Sequence, residues 1–236
     1  MGSGSWNGRI IIVTDQQTLV RECATKHGVT TLFIEQHEIH RDLKKTMPYK
    51  RFKTLALELL ERRPEELSSI EFIVYIDADV LIGDNLVPFF RYVKNLYESN
   101  LEVESARSTM LMFEEQGKHF IKRFHKNNTV FHGGIMALHR PSSQGCLDVW
   151  RSMMDINRWK YDMGALANLL YVNESTKSMC HVEELDRKFF FLLLDHKMER
   201  GESGVFVHIT NTRLRLTSKD IRRNYLQCSL MLDLAD

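Results

Sequence analysis

Residues 72–81 read Phe-Ile-Val-Tyr-Ile-Asp-Ala-Asp-Val-Leu, an apolar run that leads directly into two carboxylates, Asp77 and Asp79, two positions apart. A buried strand that ends in acidic residues delivers them to the carboxyl edge of a sheet, where open α/β folds bind ligands. Buried carboxylates need a counter-charge, and a divalent cation that completes its shell with substrate phosphates would supply one. The simpler interpretation is a strand end with a helix-capping aspartate, for which a single Asp would suffice.

The composition is that of an ordinary globular chain. With 236 residues, of which 43% are hydrophobic, it can bury one large core, or one core with a small appended lobe. The net charge of +1 does not favour a nucleic-acid or acidic-membrane partner. No apolar run is long enough to cross a bilayer. The sequence therefore predicts a single α/β domain, without nucleic acid and without membrane contact within these residues.

Several weaker features bear on location. The four cysteines lie far apart without metal-binding spacing, and are interpreted as ordinary core or free thiols: Cys23, Cys146, Cys180 and Cys228. The start, Met-Gly-Ser-Gly-Ser, is typical of an expression remnant, so a natural chain can continue upstream, for example into an anchor. Sequons at Asn127 and Asn173 are compatible with the secretory pathway. These features permit a location in the secretory pathway, for example the Golgi lumen for an excised domain, and a cytoplasmic location stays open.

Hydrophobic periodicity predicts alternating strands and helices. Strands at 9–13 and 30–34 flank a helix at 16–27, which implies a parallel pair with a right-handed crossover. Helices at 49–62 and 85–96 flank the acidic strand, a strand at 109–113 follows, and two short extended pieces meet at Gly133-Gly134. The remaining elements are expected as helices at 143–156, 161–171 and 218–232 and strands at 189–194 and 205–209.

Four segments, in this order, resemble the GT-A fold nucleotide-sugar glycosyltransferases, whose hallmark is a D-x-D motif after a hydrophobic strand. Residues 76–81 resemble that motif, and residues 131–140, Phe-His-Gly-Gly-Ile-Met-Ala-Leu-His-Arg, resemble the segment that lines the donor-sugar pocket. Residues 161–166, Tyr-Asp-Met-Gly-Ala-Leu, are similar to the acidic-start helix that follows in many members, and Val207-His208 to a late metal-binding histidine. The resemblance covers most of residues 9–210 and implies a Rossmann-like, mostly parallel central sheet flanked by helices.

The resemblance also divides the chain. Residues 1–8 are expected as a disordered start, and 9–236 as one GT-A-like domain. Within it, the nucleotide-binding half is placed near 9–84, the acceptor-side half near 105–210 and a C-terminal helical tail near 217–236. The chain departs from the family at His132 and Gly133, where Asn or Asp is frequent, and at Met163, where Gln is common. These departures leave the subfamily and the sugar open.

The implied activity is metal-dependent transfer of a hexose or pentose from a UDP-sugar to a hydroxyl of a glycan, glycoprotein or small acceptor. UDP comes from the resemblance, because nothing in the residues separates uracil from guanine. Asp77, Asp79 and His208 would hold Mn²⁺ or Mg²⁺, with Asp77 alternatively on the ribose, and a histidine ligand favours Mn²⁺. The ion would act as a Lewis acid on the leaving diphosphate. His208 also fits a core histidine satisfied by a backbone hydrogen bond.

Asp162 is expected at the reacting centre, either as general base for the acceptor hydroxyl or as a hydrogen-bond partner of the donor sugar. Helix capping is its alternative role. Retention or inversion of the anomeric configuration depends on geometry around this residue that the sequence does not supply. The other donor-binding candidates are Thr14, Asp15, Arg51, Lys53, Asp77, Ala78, His132, Gly133 and Gly134.

Each group of candidates has a structural alternative. Thr14-Asp15 would contact the nucleotide base from the end of the first strand, or cap the first helix. Arg51 or Lys53 would turn toward the diphosphate or ribose, or both would be solvated helix charges. Gly133-Gly134 would bring backbone amides close to the sugar or phosphate, or form a β-bulge.

Two other functions compete with glycosyl transfer. Haloacid-dehalogenase-like phosphatases also have a strand that ends in Asp-x-Asp, with the first Asp as nucleophile beside Mg²⁺. Their motif typically opens the fold and a later paired-acid motif completes the metal site, whereas here two strands precede Asp77 and no Asp-Asp or Gly-Asp-x-x-x-Asp follows. The third candidate is a catalytically silent fold that binds a nucleotide sugar or glycan, for which Asp77, Asp79 and His208 would serve equally.

Overall fold

A computed structural model describes residues 8–14, 29–33, 49–77, 80–82, 85–101, 108–115, 129–157, 162–193 and 205–209. Within these ranges the chain is mixed α/β, which agrees with the predicted class. The described residues fall in two compact units. The first contains β1 (Ile11–Thr14) and β2 (Thr30–Phe33), and the second contains every other described element.

In the first unit, β1 and β2 pair in parallel with Ile11 opposite Thr30. The predicted parallel opening pair is therefore confirmed. The helix expected between the two strands and the helix expected at 218–232 lie outside the described residues.

The second unit begins with a 3₁₀ helix, Tyr49–Leu55, that continues as α1 (Ala56–Glu61). Next come α2 (Pro64–Leu67), β3 (Phe72–Ile76), β4 (Val80–Ile82), α3 (Val87–Leu101), β5 (Ser108–Glu114) and β6 (Phe131–His139). Then follow α4 (Arg140–Asn157), α5 (Asp162–Ala167), a π-helical turn (Asn168–Val172) and α6 (Glu174–Lys177). The last elements are β7 (Cys180–Glu184), a 3₁₀ turn (Arg187–Phe189), β8 (Phe190–Leu193) and β9 (Phe206–Ile209).

The strands of this unit form two sheets. One has the order β3-β6-β5-β7, and the other has the order β4-β9-β8. Strand β6 is antiparallel to both of its neighbours and β4 is antiparallel to β9, whereas β5-β7 and β8-β9 are parallel. The mostly parallel sheet expected from the resemblance is thus interrupted at β6. Every residue of β6 is buried, His132 and His139 included, and a strand that is buried on both faces does not reveal its direction.

Strand β6 also corrects the expectation of two extended pieces around a Gly-Gly break, because Gly133 and Gly134 lie inside one nine-residue strand. The irregularity is on the β5 side, where Met112 pairs with Met136 but Glu114 pairs with Phe131. Extra residues of β6 therefore bulge between these two pairs, as the structural alternative for the two glycines predicted. Pairing with β3 stays regular to Ile135.

The core lies between the four-stranded sheet and α4. Trp150 of α4 is fully buried, with Met110, Met136 and Leu138 from the sheet in the same cluster. Cys146 of α4 is joined by a disulfide to Cys180 of β7, so the interpretation of these cysteines as free thiols was wrong. Cysteine spacing does not reveal pairing, because the partners are 34 residues apart and meet only through the packing of α4 on the sheet.

Candidate functional site

The acidic end of β3 lies at the centre of the site. The Asp77 amide donates to the Gly134 carbonyl at 2.7 Å, which extends the β3-β6 ladder by one residue. The Asp77 side chain is 31% exposed, and its Oδ1 accepts a 2.7 Å hydrogen bond from the Tyr75 hydroxyl. Strand alternation places residues 75 and 77 on one face, so Tyr75 fixes the carboxylate while leaving it accessible.

A buried lysine lies beside this carboxylate. The Lys53 side chain is 3% exposed, and its Nζ donates to Asp162 Oδ2 at 2.6 Å, to the Gly133 carbonyl at 2.7 Å and to Asp77 Oδ2 at 3.3 Å. An ammonium group has three N–H donors, and here each has an acceptor. Lys53 therefore joins the 3₁₀ helix, the end of β3, β6 and α5 at one point.

Asp162, the first residue of α5, forms ion pairs with two lysines. Its Oδ1 accepts from Lys50 Nζ at 2.8 Å and its Oδ2 from Lys53, while its own side chain is 3% exposed. The Trp150 indole donates to the Asp162 backbone carbonyl at 3.0 Å. The fully buried Trp150 therefore ties the start of α5 to the core, and the carboxylate is held between one buried and one accessible lysine.

The electrostatics keep both members of the buried pair charged. Burial alone would raise the pKa of Asp162, but Lys53 and Lys50 outweigh it and hold that pKa well below its ordinary value. Burial alone would lower the pKa of Lys53, but the charges of Asp162 and Asp77 and their hydrogen bonds raise it above its ordinary value. Asp162 is therefore a weak base, which disfavours the general-base role and favours hydrogen bonding as an ionised acceptor.

The two glycines leave room for these groups. A Cβ on Gly133 would lie 3.0 Å from Asp162 Oδ2 and 3.4 Å from Lys53 Nζ. One on Gly134 would lie 2.6 Å from His132 Cε1 and 3.1 Å from Asp77 Oδ2. The His132 ring is buried, accepts from the Gly134 amide at Nδ1 and packs against Phe190 at 5.0 Å. Side chains larger than hydrogen at 133 and 134 would displace the charged cluster.

The structure thus brings together six of the predicted site residues: Lys53, Asp77, His132, Gly133, Gly134 and Asp162. Gly134 contributes its backbone carbonyl and amide to the same place. Arg51 is not in this group, because its Nη2 donates to Asp155 of α4 at 2.7 Å. Thr14 ends β1 in the other unit. Asp15, Ala78 and Asp79 lie outside the described residues.

His208 is described through its backbone only. It lies in β9 directly opposite Val80 of β4, in an antiparallel pair. Among the described side chains, no group of three or more His, Cys, Asp or Glu residues has the arrangement of a metal site. The predicted ligand set of Asp77, Asp79 and His208 reaches beyond those side chains, so it stays a prediction.

Two residues of the cluster were not singled out from the sequence, namely Lys50 and Tyr75. The spacing of each residue in the sequence could have identified it. Lys50 precedes Lys53 by three residues, and positions i and i+3 lie on one face of a 3₁₀ helix. Tyr75 precedes Asp77 by two, so the two residues share a strand face.

Within the described ranges, no helix is both long and apolar enough to span a membrane.

Comparison with known proteins gives little further information. No protein-family model matches the chain, and no curated protein matches it significantly in sequence. Among solved structures, the chain is similar to a glycosyltransferase involved in the glycosylation of the major capsid of PBCV-1, with 15% identity and a TM-score of 0.44. The similarity covers 93% of this chain and 98% of that one. At this level it does not by itself identify the fold or the activity.

Proposed function

We propose that this chain is a metal-dependent glycosyltransferase that uses a nucleotide-sugar donor. The observation that carries the proposal is the Lys53 ammonium, which joins Asp77 at the end of β3, Gly133 in β6 and Asp162 at the start of α5. These acceptors come from three of the four segments that resemble the GT-A pattern. They are far apart in sequence, and a chance match of short motifs would not explain their convergence.

The cluster has an inner and an outer part. Lys53 and Asp162 are each 3% exposed and neutralise one another, whereas Lys50 is 43% and Asp77 31% exposed. A lysine ammonium is a suitable partner for a diphosphate, and a carboxylate for a ribose hydroxyl or a metal ion. The inner pair therefore sets the positions of the outer groups, and the outer groups face the donor.

The residues fit a divalent cation in their chemistry. The carboxylates of Asp77 and Asp79 and the imidazole of His208 are a donor set suited to Mn²⁺ or Mg²⁺. Within this proposed set, His208 lies in β9 opposite Val80, the residue that follows Asp79 in the sequence. When bound, the ion would neutralise the charge that develops on the leaving diphosphate. Tyr75 would orient the Asp77 carboxylate for this task.

Asp162 takes the hydrogen-bonding role in this proposal. Since two lysines keep it ionised and its carboxylate is only 3% exposed, it would hold Lys50 toward the diphosphate. The donor is taken as a UDP-sugar carrying a hexose or pentose, and the acceptor as a hydroxyl of a glycan, glycoprotein or small molecule. The experiment therefore varies both the donor sugar and the acceptor.

The test is a nucleotide-release assay with UDP-glucose, UDP-galactose, UDP-xylose and GDP-mannose, each with a mixture of sugar acceptors and with Mn²⁺ or EDTA. We expect release of the nucleoside diphosphate from one donor, dependent on Mn²⁺ and on acceptor. Lys50→Met should lower the rate at least about tenfold, the loss of roughly one charge-assisted contact. Lys94→Met is the matched control, because Lys94 is 58% exposed and pairs with Glu98 along α3.

The competing functions give different results when donor binding and hydrolysis of phosphate monoesters are measured beside nucleotide release. Binding of a donor without release indicates a catalytically silent domain. Hydrolysis of generic phosphate monoesters, with no effect on nucleotide sugars, indicates a phosphatase. Either result contradicts glycosyl transfer.

A further inference from the structure

The disulfide indicates the compartment in which this chain folds. Cys146 and Cys180 are fully or nearly fully buried, their Cα atoms are 4.9 Å apart, and the bond joins α4 to β7 inside the main core. Disulfides form and persist in oxidising compartments and are rare in reducing ones. A core built around this bond therefore points to folding in an oxidising compartment, such as the lumen of the secretory pathway.

The same disulfide-closed segment, residues 146–180, contains the sequon Asn173-Glu174-Ser175. It lies at the turn between the π-helical turn and α6. The neighbouring Val172 is 53% exposed and the Glu174 side chain 80% exposed, so this turn is at the surface. An N-glycan needs a surface turn, and this sequon occupies one.

The local hydrogen bonds are compatible with a glycan on Asn173. Its Oδ1 accepts from the Ser175 amide at 3.1 Å and from the Ser175 hydroxyl at 2.6 Å. Glycosylation changes only Nδ2, which contacts Met153 Sδ weakly at 3.8 Å and keeps one hydrogen after substitution. The side-chain cap of α6 would therefore survive the modification.

The position is also separate from the charged cluster. Asp162 starts α5, and Asn173 follows the π-helical turn eleven residues later. At the helical rise of 1.5 Å per residue, roughly 16 Å of helix separates the two residues. A glycan at Asn173 would therefore be attached outside the charged cluster.

From these observations we propose that Asn173 is an N-glycosylation site, modified in the same oxidising lumen in which Cys146 and Cys180 pair. Asn173 Nδ2 forms a bond to the anomeric carbon of an oligosaccharide carried on a lipid diphosphate. The bond from that carbon to the diphosphate oxygen breaks, the lipid diphosphate leaves, and Nδ2 loses one proton. The proposal does not depend on the proposed enzymatic function.

The test uses the protein isolated from the cells that make it. The sample is treated with peptide-N-glycosidase in ¹⁸O-labelled water, which converts a glycosylated Asn into ¹⁸O-labelled Asp, and its peptides are mapped by mass spectrometry without reduction. We expect labelled Asp at position 173 and a peptide pair linked through Cys146 and Cys180. Unmodified Asn173 in that map, with or without a glycan at Asn127, would overturn the proposal.

Variants expressed in the same cells separate the site from effects on folding. Ser175→Thr keeps the sequon and should keep the glycosidase-sensitive mobility shift. Ser175→Ala removes the sequon and should lose the shift contributed by Asn173, although it leaves the Asn173 side chain in place. Equal shifts for these two variants, measured in an Asn127→Gln background, would contradict the assignment.

Discussion

Lys53 Nζ lies 2.6 Å from Asp162 Oδ2, and both side chains are 97% removed from solvent. The two residues are 109 positions apart in the chain, so their pairing fixes the 3₁₀ helix before β3 against the start of α5. A buried ion pair is strongly sensitive to the loss of one partner, because the other is left as an uncompensated charge. The pair therefore determines both local stability and the geometry of the site.

Asp162→Asn should destabilise the fold by about 3 kcal/mol, since it removes the principal counter-charge of Lys53. Urea unfolding measures this change. Asp155→Asn is the matched control, because its pair with Arg51 is more exposed and its loss should cost less than about 1 kcal/mol. Equal unfolding midpoints for the two variants would show that the buried pair contributes no more to stability than the more exposed pair.

The decrease in the free energy of unfolding at acid pH should also depend on Asp162. Its pKa in the folded state is depressed below the ordinary 3.8, so its contribution is present above that pH and is lost as the pH falls through the folded value. Lys53 behaves in the opposite sense: its raised pKa keeps its contribution below the ordinary 10.5, with loss only at higher pH. Between these limits the difference between wild type and Asp162→Asn should be constant.

Urea titrations from about pH 2 to pH 7 test this dependence. The stability difference between wild type and Asp162→Asn should shrink only below about pH 4, the ordinary range of a carboxyl pKa. A difference that already declines between pH 7 and pH 5 would mean that Asp162 is not held in its ionised form.

Gly133→Ala should weaken donor binding at least about tenfold, or 1.4 kcal/mol. The added Cβ would meet Asp162 Oδ2 at 3.0 Å and Lys53 Nζ at 3.4 Å, which pushes the pair out of its arrangement. Gly145→Ala is the control, because its Cβ would be as crowded, at 3.0 Å from Ser108 Cβ, but belongs to α4. Comparable calorimetric affinities for the two variants would remove Gly133 from the site.

Replacing both Cys146 and Cys180 by Ser should lower the free energy of unfolding by about 3–4 kcal/mol, the loop-closure value for a span of this length. The bond closes a segment of 34 residues that also carries Asp162. Urea midpoints measure the change, and wild type in reductant should approach the variant. A variant as stable as oxidised wild type would show that the pair contributes little.

The sequence predicted the parts of the site that depend on local pattern. The strand at 72–76 and the acidic residue after it follow from an apolar run that stops at charges, and both lie as expected. Asp162 was predicted at the start of a helix, and the structure puts it there beside Lys53, whereas its role at the reacting centre stays a prediction. Its depressed pKa could not be predicted, because it depends on lysines more than 100 residues away.

Long-range pairing accounts for most of what the sequence did not reveal. Strands β4 and β7 were missed because three to five residues give little periodicity. The sequence did not distinguish Arg51 from Lys53 as the residue that turns toward the site. The 3₁₀ geometry directs Lys50 and Lys53 toward Asp162. It directs Arg51 toward Asp155 instead. The disulfide and the direction of β6 depend on packing between distant elements, which spacing alone does not encode.

The most direct test of the central claim is calorimetric titration of the chain with UDP-sugars and GDP-mannose, with Mn²⁺ and again with EDTA. We expect that one donor binds in Mn²⁺, that EDTA removes binding, and that Asp79→Ala removes it as well. Asp148→Ala, which alters an exposed carboxylate on α4, should bind normally. Equal donor affinity in Mn²⁺ and in EDTA, or unchanged affinity in Asp79→Ala, would contradict a metal-dependent nucleotide-sugar site.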